Sequence, residues 1–322
     1  MQDSVAEICP GLWRIRLPFS FELNHVNVHL VRLDDGYLLI DCGIHSEDCF
    51  HVLEASLRRL GIAWNQIRVL FITHGHPDHV GLAPRVLELS RARVLIHRVE
   101  LAHLDTIAHL VENPHSLDHQ LRAWGVPADQ VDAITHAFTG VRRSFQKLGH
   151  AETLEGGELL YTAIGPLETV WTPGHSPGHL CLLASDRRLL ISGDHVLPTI
   201  TPNIAWMPGA DPLADYLNSL RRVENLPVDS VLPSHGDPFP GLLSRVRETA
   251  AHHDARCGRI LEALHNGPRS PFQIAGFLWG NRLSSFQQRF ALFEVMAHLV
   301  YMENRYRARQ VAIDPVSTWS RA

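Results

Sequence analysis

Residues 73–79 read Thr-His-Gly-His-Pro-Asp-His and follow directly on the apolar run at 68–72. Three imidazoles and a carboxylate within six residues, at the mouth of a buried strand, make a ligand set rather than a core. Imidazole and carboxylate suit zinc, iron or manganese. A strand-to-loop turn can aim alternate side chains at one point and the next pair at a second point nearby, so two adjacent metals are expected. The chain holds 22 histidines, and a lone histidine is more often solvated or packed in a core. The H-x-H-x-D-H spacing after an apolar strand separates this stretch from that background.

Three later stretches repeat the pattern. Residues 168–171 lead into Thr172-Pro-Gly-His175-Ser-Pro-Gly-His179, residues 189–191 into Ser192-Gly-Asp194-His195, and residues 230–232 into Pro233-Ser-His235-Gly-Asp237. Four strand ends on one sheet edge can converge on one site. A fourth carboxylate, Asp41, ends the apolar run 37–40. It reads either as a turn initiator or as a buried group that orients a ligating imidazole.

Around these motifs the pattern is α/β. Runs at 13–17, 26–33 and 37–40 form a strand meander. Residues 46–60 carry apolar side chains at helical spacing behind a Ser46 cap, and strands are expected at 68–72 and 93–97 around a helix at 82–90. Residues 98–150 are helical, polar and histidine-rich, and read as an insertion forming a lid or pocket wall. His115 and His119 there have the i, i+4 spacing of one helix face. A helix at 212–226 should cover the sheet.

At 322 residues the chain suits one large domain with a small appendage. A hydrophobic fraction of 45% and a charged fraction of 20% describe a globular protein and exclude disorder or fibre, and a net charge of −5 gives no general nucleic-acid or membrane footprint. Five cysteines, none in C-x-x-C spacing, argue against a disulfide framework and for a reducing compartment. With neither a signal-peptide pattern nor an apolar run of membrane-spanning length, a cytoplasmic location is expected.

The series H-x-H-x-D-H, T-P-G-H, S-G-D and P-S-H-G over about 15–240 resembles the metallo-β-lactamase superfamily. The resemblance implies an αββα sandwich with a dinuclear site at one edge. It implies that His74, His76 and His175 hold one metal, that Asp78, His79 and His235 hold the other, and that Asp194 bridges them. Two divalent ions are expected, with zinc first and iron or manganese as alternatives. Such a pair yields a hydroxide near neutral pH. Asp78 would steer it and Asp41 would orient a ligand. No serine or cysteine nucleophile is needed, so Cys42 and Ser176 read as structural.

Asp at 194, where true antibiotic-degrading members place Cys or Ser, and His76, where flavin-linked di-iron members place Glu, point to the hydroxyacylglutathione hydrolase-like group. A hydrolase of a thioester (of glutathione or coenzyme A type) or a lactone is expected. An endoribonuclease is the alternative, with a persulfide dioxygenase-like or non-catalytic role behind it. His179 and His195 either face substrate or are structural. Trp206 and Met207 lie in a loop able to form an apolar wall, and Asn27 is either an entrance residue or a strand surface residue.

The sequence divides into a catalytic domain at 1–241 and a C-terminal unit at 242–322. In the latter, an amphipathic helix at 246–264, a short helix after Pro271, a helix at 286–304 capped by Ser285, and a hairpin edge at 305–313 resemble a winged-helix appendage. Arg282, Arg289, Arg305, Arg307 and Arg309 would let it touch phosphates. The Phe, Leu, Met and Val content of 286–304 instead favours a docking or dimerisation face. The expected partner is a small-molecule substrate, with a homodimer possible and neither membrane nor, preferentially, nucleic acid.

Overall fold

The computed structural model describes residues 4–19, 24–137, 148–280, 282–312 and 315–322. Seven strands form the first sheet in chain order: β1 (Val5–Cys9), β2 (Leu12–Pro18), β3 (His25–Arg32), β4 (Tyr37–Ile40), β5 (Ile67–Phe71), β6 (Arg93–His97) and β7 (Ala151–Leu154). The first four run antiparallel as a meander, and β4 to β7 run parallel. Parallel neighbours need crossovers. Helices α1 (Glu47–Arg59), α2 (Pro77–Val80), α3 (Ala83–Ser90), α4 (Arg98–Glu112), α5 (Asp118–Ala123) and α6 (Ala128–Thr135) lie in those connections.

The second sheet holds β8 (Leu159–Thr162), β9 (Gly165–Trp171), β10 (Leu180–Ala184), β11 (Leu189–Gly193) and β12 (Ser230–Pro233), in the order β12-β11-β10-β9-β8. Helix α7 (Pro212–Val223) bridges β11 and β12, which pair in parallel. The chain ends with α8 (Leu242–Ala263), α9 (Pro271–Trp279), α10 (Ser285–Glu303) and a hairpin of β13 (Ala308–Ala312) and β14 (Thr318–Arg321).

The sheets stack face to face. Leu12, Val31, Leu38, Ile40, Phe71 and Leu95 of the first sheet pack on Leu167, Leu180, Leu182, Ile191 and Leu232 of the second. The outer face of the first sheet is covered by Phe50, Leu53 and Leu57 of α1 and Val86 of α3. The outer face of the second is covered by Leu213, Tyr216, Leu220 and Val223 of α7 and Val246 of α8. The layers are helix, sheet, sheet, helix, the mixed α/β sandwich expected from sequence.

Three expectations change. The ligand-bearing strands do not share one sheet edge: β5 belongs to the first sheet and β9, β11 and β12 to the second, so the site forms where two sheets meet. His115 lies in a 3₁₀ turn (Pro114–Leu117) and His119 in α5, so they share no helix face. The cap of α10 is Ser284, whose side chain accepts from the Gln287 N–H while Gln287 reaches back to the Ser284 N–H, leaving Ser285 as the first helical residue.

The helices of the 98–150 segment and the C-terminal helices share one core. Leu121, Trp124, Val126, Val131 and Ile134 pack with Ile260, Leu264, Ile274, Leu292, Val295 and Leu299. Backbone bonds from Phe272 N to Trp124 O at 3.0 Å and from Ser317 N to Ala123 O at 2.7 Å join them. Residues 138–147 of that segment, expected to belong to the lid, lie outside the described residues, as does Ile313 of the terminal hairpin. Among the described residues no helix is long and apolar enough to cross a membrane.

Candidate metal centre

The stretch 73–79 leaves β5 and turns at once into α2, with His76 as N-cap and Pro77 at the first helical position. Proline fixes the first turn and gives up no needed donor there. His74, His76, Asp78 and His79 are thereby splayed around one turn. His175 follows β9, Asp194 follows β11 and His235 follows β12.

The side chains form two groups. Ligand atoms of His74, His76, His175 and Asp194 lie within 4.8 Å of one another, as do those of Asp78, His79 and His235. Asp194 spans both: its Oδ2 is 3.6 Å from His175 Nε2 and 3.5 Å from His235 Nε2, and its Oδ1 is 3.6 Å from His79 Nε2. Asp78 Oδ2 lies 3.1 Å from His235 Nε2. Within the first group, His74 Nε2 and His76 Nδ1 are 3.0 Å apart.

Three rings are fixed from behind. His79 Nδ1 donates to Asp41 Oδ2 at 2.7 Å, His175 Nδ1 to the Asn203 carbonyl at 2.9 Å, and His235 Nδ1 to the His25 carbonyl at 2.8 Å. An acceptor at Nδ1 sets the tautomer, leaving Nε2 as a lone-pair donor. Those Nε2 atoms of His79, His175 and His235, together with Asp194 Oδ1, are buried, face only groups of this same cluster and make no well-aligned hydrogen bond among the described residues. Each orphaned group costs about 1–3 kcal/mol unless something satisfies it. A pair of cations would satisfy all four, so the donor set fits two metals.

The electrostatics agree. Burial pushes His74 well below its usual pKa and His76 down to about 3, and lowers His175. These rings are neutral, as ligands must be. Burial also opposes charge on His79 and His235, but Asp78, Asp41 and Asp194 hold His79 well above its usual value, and Asp194 and Asp78 raise His235 to about 10. Burial would raise Asp194, yet His235 and His79 hold it well below the carboxylate range. Without cations, protons on His79 and His235 balance the carboxylates.

Asp41 takes a left-handed φ of +60°, a conformation Asp and Asn adopt more readily than other side chains. It accepts from Thr73 N and Thr73 Oγ1, both at 2.8 Å, besides His79. For His179, which the sequence left either facing substrate or structural, the geometry is that of a structural residue. It is fully buried, its Nδ1 meets Thr172 Oγ1 at 2.8 Å, and its Nε2 accepts the Asp194 N–H at 3.1 Å. Its Nδ1 thus ties to Thr172 at the end of β9 and its Nε2 to the Asp194 turn, so both nitrogens are engaged within the protein. A Cβ on Gly193, at φ +52°, would lie 2.5 Å from that Nε2, which requires glycine there. His195 is also fully buried, against Tyr216, whose hydroxyl donates to the His195 carbonyl at 2.8 Å. Burial takes its pKa to about 3, so it is a neutral, packed ring.

Trp206 is half-buried, edge-on to Trp124 at 5.1 Å, with its N–H donated to the Phe293 carbonyl at 3.1 Å. It joins the 198–210 loop to α10. Asn27 is buried and donates to the carbonyls of Pro233 at 3.0 Å and Gly236 at 2.7 Å, clamping the His235 turn. Cys42 and Ser176 are structural: Cys42 Sγ meets the His79 carbonyl and Ser176 Oγ donates to Glu100.

Glu100 escaped the sequence reading. It is fully buried at the start of α4. Its Oε1 accepts from Gly75 N and Ser176 Oγ, both at 2.6 Å, and its Oε2 from Gly178 N at 2.8 Å. One carboxylate thus locks the His74–His76 turn to the His175 loop. An acidic residue in a first helical turn ordinarily signals only favourable interaction with the helix dipole. His115, Asp132 and His136 gather separately on a more exposed part of the helical segment.

A family model described as "Metallo-beta-lactamase superfamily" matches residues 22–235. "Probable metallo-hydrolase YqjP" of Bacillus subtilis (strain 168) is 26% identical over 281 residues, covering 81% of this chain and 82% of that protein. The crystal structure of a beta-lactamase domain protein from Burkholderia ambifaria superposes with a TM-score of 0.89 at 30% identity, covering 99% of this chain and 94% of that one. An "Atrochrysone carboxyl ACP thioesterase" of Aspergillus fumigatus is 27% identical over 115 residues, 36% of this chain and 35% of that protein.

Proposed function

The chain belongs to the metallo-β-lactamase superfamily, and from that premise we propose that it is a two-metal hydrolase of small thioesters, of glutathione or coenzyme A type, with lactones as the neighbouring substrate class. The observation that carries the two-metal reading is Asp194, whose carboxylate reaches His175 on one side and His79 and His235 on the other at 3.5–3.6 Å. His74, His76 and His175 would hold one ion and Asp78, His79 and His235 the other, with zinc the cation that best matches this donor set. Such ions would supply a water of lowered pKa and polarisation of an acyl carbonyl.

The chain supplies the rest. Asp41, the Asn203 carbonyl and the His25 carbonyl keep three imidazoles in one tautomer. Asp78, beside His235, is the carboxylate placed to orient the attacking water as the acyl carbon–sulfur bond breaks. The surrounding burial strengthens each of these interactions.

The thioester preference draws on the resemblance to hydroxyacylglutathione hydrolases and on the partial match to a fungal thioesterase. Arg305 pairs with Asp211 at 3.2 Å and Arg307 with Asp254 at 3.4 Å, which compensates positive charge in the turn after α10 and supports a small substrate over RNA. The test is a panel of S-lactoylglutathione, acyl-CoA esters, lactones and single-stranded RNA, each with and without zinc or manganese. Metal-dependent thioester turnover is expected. Inert thioesters together with steeply salt-dependent RNA binding and cleavage would overturn the reading.

A further inference from the structure

The last helix of the chain lies far from the H-x-H-x-D-H stretch in sequence but is linked to the metal centre by a continuous, part-buried chain of hydrogen bonds. His175 Nδ1 donates to the backbone carbonyl of Asn203 at 2.9 Å. The Asn203 side chain donates from Nδ2 to Glu294 Oε2 of α10 at 2.9 Å, and Glu294 Oε1 accepts from Arg256 of α8 at 2.6 Å. The side chains of Arg256 and Glu294 are only 17% and 14% exposed. A second tie, Trp206 N to the Phe293 carbonyl at 3.1 Å, holds the same loop to the same helix.

We infer that Glu294, acting through Asn203, positions His175, so that docking of the C-terminal helices and metal affinity at the His74, His76 and His175 group form one coupled equilibrium. This rests on the reading of those three histidines as metal ligands. The chemistry is direct. His175 contributes to a cation only while its Nδ1–H stays on an acceptor, and that acceptor is a carbonyl in a loop rather than in a strand or helix. The Asn203 side chain is the anchor nearest that carbonyl, and it rests on a part-buried carboxylate held by a guanidinium. Linkage makes the effect reciprocal: a bound cation must tighten the contact between the loop and α10 by the same factor.

Asn203→Ala keeps the carbonyl but removes its anchor. The expected result is a roughly tenfold loss of Zn2+ or Co2+ affinity at the His175-containing group, measured by chelator competition on the full chain. Glu294→Ala should match it, and Glu294→Gln, which keeps an acceptor for Asn203, should restore most of the affinity. In a His76→Ala background, which leaves the Asp78, His79 and His235 group alone to bind, Asn203→Ala should change nothing. The exposed-pair variant Arg307→Ala is the control and should also leave both affinities unchanged. Folded Asn203→Ala and Glu294→Ala chains that bind both ions as tightly as the natural chain would overturn the inference. A natural chain that binds no metal would instead overturn the site reading on which it stands. Should the variants fail to fold, amide exchange on the natural chain decides: metal addition should slow exchange across α10, and unchanged exchange there would contradict the coupling.

Discussion

Asp41→Asn is the sharpest probe of how the second group of ligands is built. Asparagine tolerates the left-handed backbone of +60° at this position as aspartate does, and the side chains are nearly isosteric, so the fold should survive. The hydrogen bonding cannot. Asp41 accepts from Thr73 N, Thr73 Oγ1 and His79 Nδ1 at 2.8, 2.8 and 2.7 Å. An amide can keep the Thr73 N–H bond with its oxygen, but its NH2 then faces His79 Nδ1. The ring must switch tautomer to accept, which puts a proton on Nε2, the atom 3.6 Å from both Asp78 and Asp194. A protonated Nε2 cannot ligate. Loss of such an orienting partner ordinarily weakens metal binding by about 10- to 100-fold, or roughly 1.4–2.7 kcal/mol. Chelator-competition titration of the metal-free chain should show the weakening in one ion only, with the ion held by His74, His76 and His175 unaffected. An Asp41→Asn protein that binds both ions at natural affinity would refute the argument that Asp41 sets the His79 tautomer.

Other outcomes follow from the same geometry. Glu100→Ala leaves Gly75 N, Gly178 N and Ser176 Oγ without their acceptor and should cost on the order of 3–5 kcal/mol, read as a lowered denaturant midpoint. Metal loading must expel the protons that carboxylates hold on His79 and His235, the latter raised to about 10. Calorimetry in buffers of different ionisation enthalpy should therefore detect proton release, and affinity should fall with pH. In the C-terminal helices, His253 Nδ1 lies 3.2 Å from His298 Nε2, and burial lowers the pair to about 2 and about 4. These folded-state values are depressed, so the unfolded chain takes up protons first as pH falls below about 6.5. Stability is then lost by up to about 1.4 kcal/mol per pH unit for each group down to its folded value. Urea midpoints between pH 7 and 5 test this, and His253→Leu should flatten the dependence if it folds.

The donors were legible because each donor stretch begins within four residues of the end of a short apolar strand, where a buried run gives way to polar side chains. The layers were legible because strand and helix periodicities differ. What holds the donors was not. Glu100 meets Gly75 and Gly178, and Asn27 meets Pro233 and Gly236, across tens to hundreds of residues and with no local pattern that marks a buried polar strut. His179 stayed open between facing substrate and a structural role because its spacing from His175 fits either. Its role follows from its hydrogen bonds to Thr172 and to the Asp194 N–H, contacts that no local pattern marks. The first strand, Val5–Cys9, was missed because its short run mixes apolar and polar residues without clear alternation. The union of the 98–150 helices with the C-terminal helices depends on which apolar stripes meet in space, which periodicity does not encode.

The central claim, a paired metal centre bridged by Asp194, is tested most directly by counting metal. Purified chain reconstituted with zinc and freed of excess should hold two ions per chain by elemental analysis. His74→Ala and His235→Ala should each hold about one, and thioester turnover should fall with either loss. A natural chain holding none, or variants that keep the full complement and activity, would contradict the account.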